Sequence, residues 1–151
     1  MFDPSSARLL KIAAQCNEMM ATLARRVAEQ ADVLSAKSAI DIRSYTDRVC
    51  LELFVDAELS QGTALTWWIE LVWRQSKWGV EAAVRIVHRD GQDLLQQVAA
   101  HECSSEETCF ESLMEAAATL TAMSDVATLI AEHSCQSSPR STSPPTGPSS
   151  S

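Results

Sequence analysis

The sequence predicts an α+β fold in which an antiparallel four-stranded β-meander packs against a long N-terminal helix and a C-terminal helix. Three observations support this prediction: an apolar stripe at helical spacing near the N-terminus, a two-residue alternation through the middle of the chain, and a helix-capping motif after it. The expected order is α-β-β-β-β-α, with one or two helices after the last strand. Helices that follow a sheet in this way cover its apolar face.

Residues 5–39 are predicted to form one long helix. Its apolar stripe consists of Leu9, Ile12, Cys16, Met19, Leu23, Val27, Ala31 and Leu34. Asp3 or Ser5 can cap the start, and Pro4 suits the first turn. Such a helix would span about 50 Å, whereas a ten-residue strand spans only about 33 Å. We therefore expect either a kink or a homodimer through the N-terminal helix, whose excess apolar length would pack on a second copy.

Four strands are expected between Arg48 and Ala100, because apolar and polar residues alternate there. They cover residues 48–59, 65–74, 78–86 and 92–100. Asp90-Gly91 is predicted to be a type I′ hairpin turn, whose two central residues both need a positive φ. Short turns leave no room for the crossover that parallel strands require, so the sheet should be an antiparallel meander.

The C-terminal helix is predicted from a capping box, in which Ser104 caps the first turn and Glu107 lies three residues later. Ser124-Asp125 should start a short last helix over residues 126–133. Residues 1–135 then form a single α+β domain. Residues 136–151 are a Ser/Pro-rich tail, which is predicted to be disordered because it has too little apolar surface to offset the entropy of ordering.

Composition excludes several classes of protein. The chain has 151 residues and a formal net charge of −8, which is untypical of a nucleic-acid-binding protein. No apolar run approaches the roughly 18 residues of a membrane-spanning helix. The five cysteines are odd in number and scattered, and the N-terminus shows no signal-peptide pattern, so we expect a cytoplasmic protein. Neither nucleic acid nor a membrane is an expected partner.

An acidic C-terminal region is the first candidate binding surface. From Asp90 to Cys135 there are nine acidic residues and no lysine or arginine. Glu107, Glu111 and Glu115 repeat every four residues and therefore stack on one helix face. Such a field would speed the encounter with a basic protein partner. The alternative interpretation is an ordinary solvated helix face.

The solvent-exposed face of the sheet is the second candidate binding surface. Four apolar side chains, Phe54, Trp68, Val72 and Val87, are expected to project there. Charged residues, Glu52, Glu70, Glu81, Arg74 and Arg85, should surround them. Aromatic residues among charges are typical of an interface centre. The alternative is cross-strand pairing with partial cover by the long helix or the tail. Trp67, Trp73 and Trp78 are predicted to lie in the core.

Signals for chemistry are weak. Two His-X-Cys pairs and an intervening cysteine could offer zinc ligands, but their spacing differs from that of structural zinc sites. They comprise His101, Cys103, Cys109, His133 and Cys135. A second set of carboxylates on the sheet is expected to pair with Arg74, Arg85 and Arg89 rather than bind a metal. This set comprises Glu52, Asp56, Glu58 and Glu70. No phosphate-binding, dinucleotide or nucleophile-elbow motif occurs, so no cofactor and no catalysis are predicted.

The leading functional prediction is a non-catalytic, acidic protein-binding module that docks a basic partner. In size, charge and layout alone the chain is similar to toxin-neutralising immunity proteins, secretion chaperones and adaptors. The predicted partner-binding residues are Phe54, Trp68, Glu70, Val72, Glu107, Glu111 and Glu115. The alternatives are a structural homodimer without further activity, a domain that binds a small molecule or a metal, and an enzyme.

Overall fold

The structure is a computed structural model that describes residues 5–75 and 77–137. Within these residues, three helices and five strands follow one another along the chain. They are α1 (Ser5–Ala28), β1 (Val33–Ser44), β2 (Arg48–Leu59), β3 (Ala64–Arg74), β4 (Lys77–His88), β5 (Gly91–Cys103), α2 (Glu106–Ala122) and α3 (Val126–Ser137). The strands form one antiparallel sheet in the order β1-β2-β3-β4-β5. The α+β meander is therefore confirmed, with one strand more than predicted.

The extra strand lies where the sequence suggested helix. The helix ends at Ala28, and residues 33–44 pair with β2, so the prediction of a single helix over residues 5–39 is wrong in its last part. The chain turns where the N–H of Gln30 donates to the carbonyl of Val27 at 3.1 Å. Pairing with β2 outweighs the weak helical preference of residues 33–44, because tertiary contacts routinely override propensity.

The homodimer through the N-terminal helix was expected because a helix over residues 5–39 would be longer than the sheet. The observed helix is shorter, so that reason no longer applies. At 24 residues α1 spans about 36 Å, and the 12-residue β2 spans about 40 Å. The two lengths match. The stripe residues Leu9, Cys16, Leu23 and Val27 are all buried in the core of the same chain.

The core lies between one face of the sheet and the helices α1 and α2, and α3 adds Val126 and Leu129 to it. Trp67 is fully buried there, and its Nε1 donates to the carbonyl of Met123 at 2.9 Å, which confirms its predicted core position. Trp73 and Trp78 are only half-buried at one end of this core. Their rings lie 6.2 Å apart, and Trp78 meets Phe110 edge-on at 5.9 Å.

The helix caps and one turn differ in detail from the predictions. The N-cap of α2 is Ser105 rather than Ser104, and its Oγ accepts a hydrogen bond from the N–H of Thr108 at 3.2 Å. The residue three positions after the cap is therefore Thr108, and the predicted capping box of Ser104 with Glu107 is wrong. Asp125 caps α3 as expected, since its Oδ1 accepts from the N–H of Thr128 at 3.2 Å.

The hairpin between β4 and β5 exists, but its turn is shifted. His88 pairs with Gly91, so Arg89 and Asp90 form the turn, and Gly91 with a φ of 146° is the first residue of β5. In the described chain, Gln75 is the non-glycine residue with a positive φ, and the predicted type I′ turn at Asp90-Gly91 is therefore wrong.

Helix α3 continues to Ser137, two residues beyond the predicted end of the domain, and residues 138–151 of the predicted tail lie outside the described residues. No single helix within residues 5–75 and 77–137 has the length and apolar character to cross a membrane. The pair α2 and α3 meets those criteria only when taken together, and it is bent by 89°.

Candidate functional site

The helices α1 and α2 pack on one face of the sheet, and we call the other the open face. Side chains alternate between the two faces along each strand, so every second residue belongs to the open face. Residues opposite one another in neighbouring strands form rows that run across the sheet. The character of the open face depends on what each of these rows contains.

An apolar row crosses the middle of the open face. It consists of Ala39, Phe54, Trp68 and Ala83. Phe54 and Trp68 are half-buried. The Nε1 of Trp68 donates to a carboxylate oxygen of Glu52 at 3.0 Å, and the guanidinium of Arg85 lies 4.4 Å from the ring centroid. The predicted anchors thus lie on the open face, with Trp68 partly covered by Arg85.

A row of four carboxylates lies next to the apolar row. It consists of Asp41, Glu52, Glu70 and Glu81, one from each of the strands β1 to β4. We call these residues the carboxylate row. Like charges directly opposite each other in a sheet are destabilising. Burial raises the pKa of Glu70, and the charges of Glu52 and Glu81 raise it further.

Cations form direct ion pairs with only one half of the carboxylate row. Arg43 lies 2.8 Å from Asp41 and 3.3 Å from Glu52. Among residues 5–75 and 77–137, no cationic nitrogen lies within 4 Å of the carboxylates of Glu70 and Glu81. Glu70 and Glu81, beside Trp68, therefore have no direct ion pair in this part of the chain, and the charges of Arg48 and Arg43 lower the pKa of Glu70 only from a longer range.

A row of cations follows towards the turn between β3 and β4. It consists of Arg48, Arg74 and Lys77. Asp47 lies 3.2 Å from Arg48 and 3.9 Å from Arg74, so two of these cations already have a partner. A shallow depression of about 670 Å³, floored by Val72 and Gly79, separates these cations from the carboxylate row.

The carboxylates of β2 and β3 were expected to pair with Arg74, Arg85 and Arg89. This prediction is wrong for Arg74 and Arg85, which have other partners. Glu52 pairs with Arg43, Arg74 pairs with Asp47, and Arg85 stacks on Trp68. Asp56 accepts the hydroxyl of Thr66 at 2.8 Å. The prediction failed because it lacked β1, which supplies Arg43 at the edge of the sheet.

The acidic helix forms a second, separate surface. Glu107, Glu111 and Glu115 are exposed on α2, as their spacing predicts. Glu107 lies 3.5 Å from Arg8. Because α2 packs on the covered face, these three residues lie across the sheet from Phe54, Trp68, Glu70 and Val72. The predicted binding residues therefore belong to two surfaces.

The histidine and cysteine set comes together only in part, at the side chains of Cys103 and Cys109, which form a hydrogen bond. His101 lies 2.9 Å from the hydroxyl of Ser112, and His133 lies 3.7 Å from Asp93. Burial and the neighbouring Cys103 raise the pKa of the Cys109 thiol, which is therefore neutral. Nowhere in the described chain do three histidine, cysteine or acidic residues form a group that could hold a metal ion. The side chain of Cys135 lies outside the described part.

Register is the information that sequence reasoning lacked. Glu70 was predicted to contact a partner, but the alignment of Asp41, Glu52 and Glu81 with it depends on strand pairing that alternation alone does not give.

Comparison of the chain with protein families, with curated proteins and with solved structures finds no match in any of the three.

Proposed function

We propose that this chain is a non-catalytic protein-binding module whose open face docks a basic segment of a partner protein. The observation that supports this proposal best is the half of the carboxylate row that has no direct ion pair among the described residues, Glu70 and Glu81, on a sheet face that the described helices leave uncovered. The proposal keeps the predicted class of immunity protein, secretion chaperone or adaptor.

The alignment of the carboxylate row lowers the stability of the isolated chain. Two carboxylates directly opposite one another repel, and the pKa of Glu70 is raised first by partial burial and then by that repulsion. An arginine or lysine of the partner, placed over Glu70, would interact with several carboxylates of the row at once. Binding would then relieve a repulsion that the isolated chain tolerates.

The apolar residues of the open face, together with the charges around them, have the composition that is typical of a protein interface. Phe54, Trp68 and Val72 are half-buried on the open face, next to the carboxylate row and surrounded by charges. An apolar aromatic centre with a polar rim is the usual anatomy of a protein interface. The stacked Arg85 would be displaced from Trp68, or would stay and fix the ring for contact.

The acidic face of α2 would contribute at longer range. Glu107, Glu111 and Glu115 cannot contact a partner that covers only the open face, because the sheet lies between them. Their charge still adds to the negative field that attracts a basic partner. We assign steering to these residues and direct contact to the open face.

Capture experiments with matched variants test the proposal. Glu70→Gln removes one charge from the centre of the carboxylate row, whereas Glu58→Gln removes one from the same face where the neighbours are Ser35 and Ala64. We expect the Glu70 variant to retain a basic partner roughly fivefold less than the wild type, since about 1 kcal/mol of interaction is lost. The Glu58 variant should retain it almost unchanged.

Salt provides the second readout. Retention of the partner by the wild type should fall between about 50 and about 500 mM salt, mainly because association slows. Equal retention by both variants, or retention that is indifferent to salt, would show that the carboxylate row is not the docking site.

A further inference from the structure

The two edges of the sheet are built differently. The edge strand β5 pairs with β4 through two register shifts, at Ala82/Ala83 and Val84/Arg85. Bulges of this kind twist an edge and discourage further pairing. The other edge strand, β1, has one register shift, between Val33 and Ser35, and then pairs with β2 without irregularity from Ser35 to Ser44. Of the two edges, β1 is therefore the more regular one, and it can accept another strand.

The hydrogen-bonding groups that β1 presents can be deduced from its hairpin. The N–H of Tyr45 donates to the carbonyl of Arg48 at 2.7 Å, so Tyr45 bonds towards β2. Bonding direction alternates along a strand, and the even-numbered residues of β1 therefore point their N–H and C=O groups away from β2. Two of them, Ile40 and Ile42, also leave 42% and 56% of their surface exposed.

The order of charges along β1 is complementary to itself. We propose that two copies of this chain pair through β1 in an antiparallel ladder whose two-fold axis passes between the two Ala39 residues. Lys37 of each copy then lies opposite Asp41 of the other, which gives two symmetric ion pairs on the open face. The same register places Ser38 opposite Ile40 and overlaps the strands from Leu34 to Ser44.

None of the neighbouring registers combines a long overlap of the two β1 strands with opposite charges that face each other. An axis at Ile40 would put Lys37 opposite Arg43, and an axis at Asp41 would put that residue opposite itself. An axis at Ser38 pairs no charges. An axis at Ile42 pairs Asp41 with Arg43, but most of β1 would then lie beyond the partner strand.

This inference goes beyond the proposed function and does not depend on it. The dimer would join two five-stranded sheets into one and would place the two open faces side by side. A single partner protein with two basic segments, or two partner molecules, could then bind at once. Unlike the helix-mediated homodimer that the sequence suggested, this interface leaves the apolar stripe of α1 in its own core.

Cross-linking at the axis tests the register. In this arrangement the two Ala39 residues form a non-hydrogen-bonded pair with Cα atoms about 4.5 Å apart, a distance that a disulfide can bridge. We expect Ala39→Cys to give a disulfide-linked dimer under mild oxidation, seen on a non-reducing gel. Ser35→Cys is the matched control, because its two copies would lie about 27 Å apart.

The wild type carries the same native cysteines and provides the background. If Ala39→Cys forms no more covalent dimer than Ser35→Cys or the wild type, the proposed axis is wrong. A covalent dimer from both cysteine variants alike would mean random collision and would equally overturn it.

Charge exchange tests the ion pairs by sedimentation of the full chain. Lys37→Asp and Asp41→Lys each replace two attractions with two repulsions, and each should weaken dimerisation roughly tenfold. The double variant restores opposite charges and should recover dimerisation. Circular dichroism checks that each variant is folded. A wild type that is monomeric throughout the concentration series, or a folded double variant that stays monomeric, would contradict the proposal.

Discussion

Trp67 and Trp68 are adjacent in the sequence and lie on opposite faces of the same strand. Trp67 is fully buried, and its indole N–H donates to a backbone carbonyl, that of Met123. Trp68 is half-buried, its indole N–H donates to the carboxylate of Glu52, and Arg85 stacks on its ring. A tryptophan side chain is therefore part of the core on one face of the strand and part of a charged surface on the other.

The difference extends to the two whole faces. On the covered face, β2, β3 and β4 present apolar residues that α1 and α2 bury almost completely. On the open face, the same strands align three carboxylates in one row, to which β1 adds Asp41, at a cost in stability. The covered face therefore stabilises the fold, whereas the open face keeps an arrangement that costs stability.

The tryptophan pair gives the largest expected contrast. Trp67→Ala should lower the free energy of unfolding by about 3–5 kcal/mol, the usual cost of a buried aromatic cavity. Trp68→Ala should lower it by about 1–2 kcal/mol, since the ring is half-buried and loses mainly cross-strand and cation–π contacts. Urea denaturation measures both. Equal losses would show that the open face is as much a part of the core as the covered face.

A smaller contrast concerns the pH dependence of stability. Glu70 has a pKa that is raised in the folded state. The folded chain therefore binds a proton more readily than the unfolded chain, and this residue lowers the free energy of unfolding as pH rises through its folded pKa. Glu70→Gln should be more stable than the wild type at neutral pH by a few tenths of a kcal/mol, allowing for solvent screening.

That advantage should shrink on acidification, because the Glu70 carboxyl of the wild type becomes protonated and neutral. Denaturation curves of both proteins at pH 4 and pH 7 provide the measurement. An advantage that grows at low pH would contradict the assigned cause of the raised pKa.

Much of the fold was predictable because β2, β3 and β4 are half-buried on alternate residues, and alternation is the signal that a one-sided sheet leaves in a sequence. β1 was missed because Ala31 and Leu34 continue the helical spacing of α1. The alternation of Ile40, Asp41 and Ile42 was the signal that could have revealed a strand, yet it covers only a few residues.

The sequence could predict which residues of β2 and β3 lie on the open face, but not how the charged rows of that face are arranged. Phe54, Trp68, Glu70 and Val72 do lie on the open face, because the two-residue period assigns each residue to a face. The carboxylate row depends on register across three pairs of strands, and register is set by turns and by the core rather than by local pattern. Arg43 and Asp41 could not be placed at all without β1.

Charge reversal at the centre of the carboxylate row tests the central claim most directly. Glu70→Lys turns two repulsions, with Glu52 and Glu81, into two attractions, whereas Glu58→Lys faces Ser35 and Ala64 and serves as the control. At neutral pH and low salt, urea denaturation should show Glu70→Lys more stable than the wild type by about 0.5–2 kcal/mol and Glu58→Lys nearly unchanged. A Glu70→Lys variant that is less stable than the wild type would contradict the claim that the row is retained at the expense of stability.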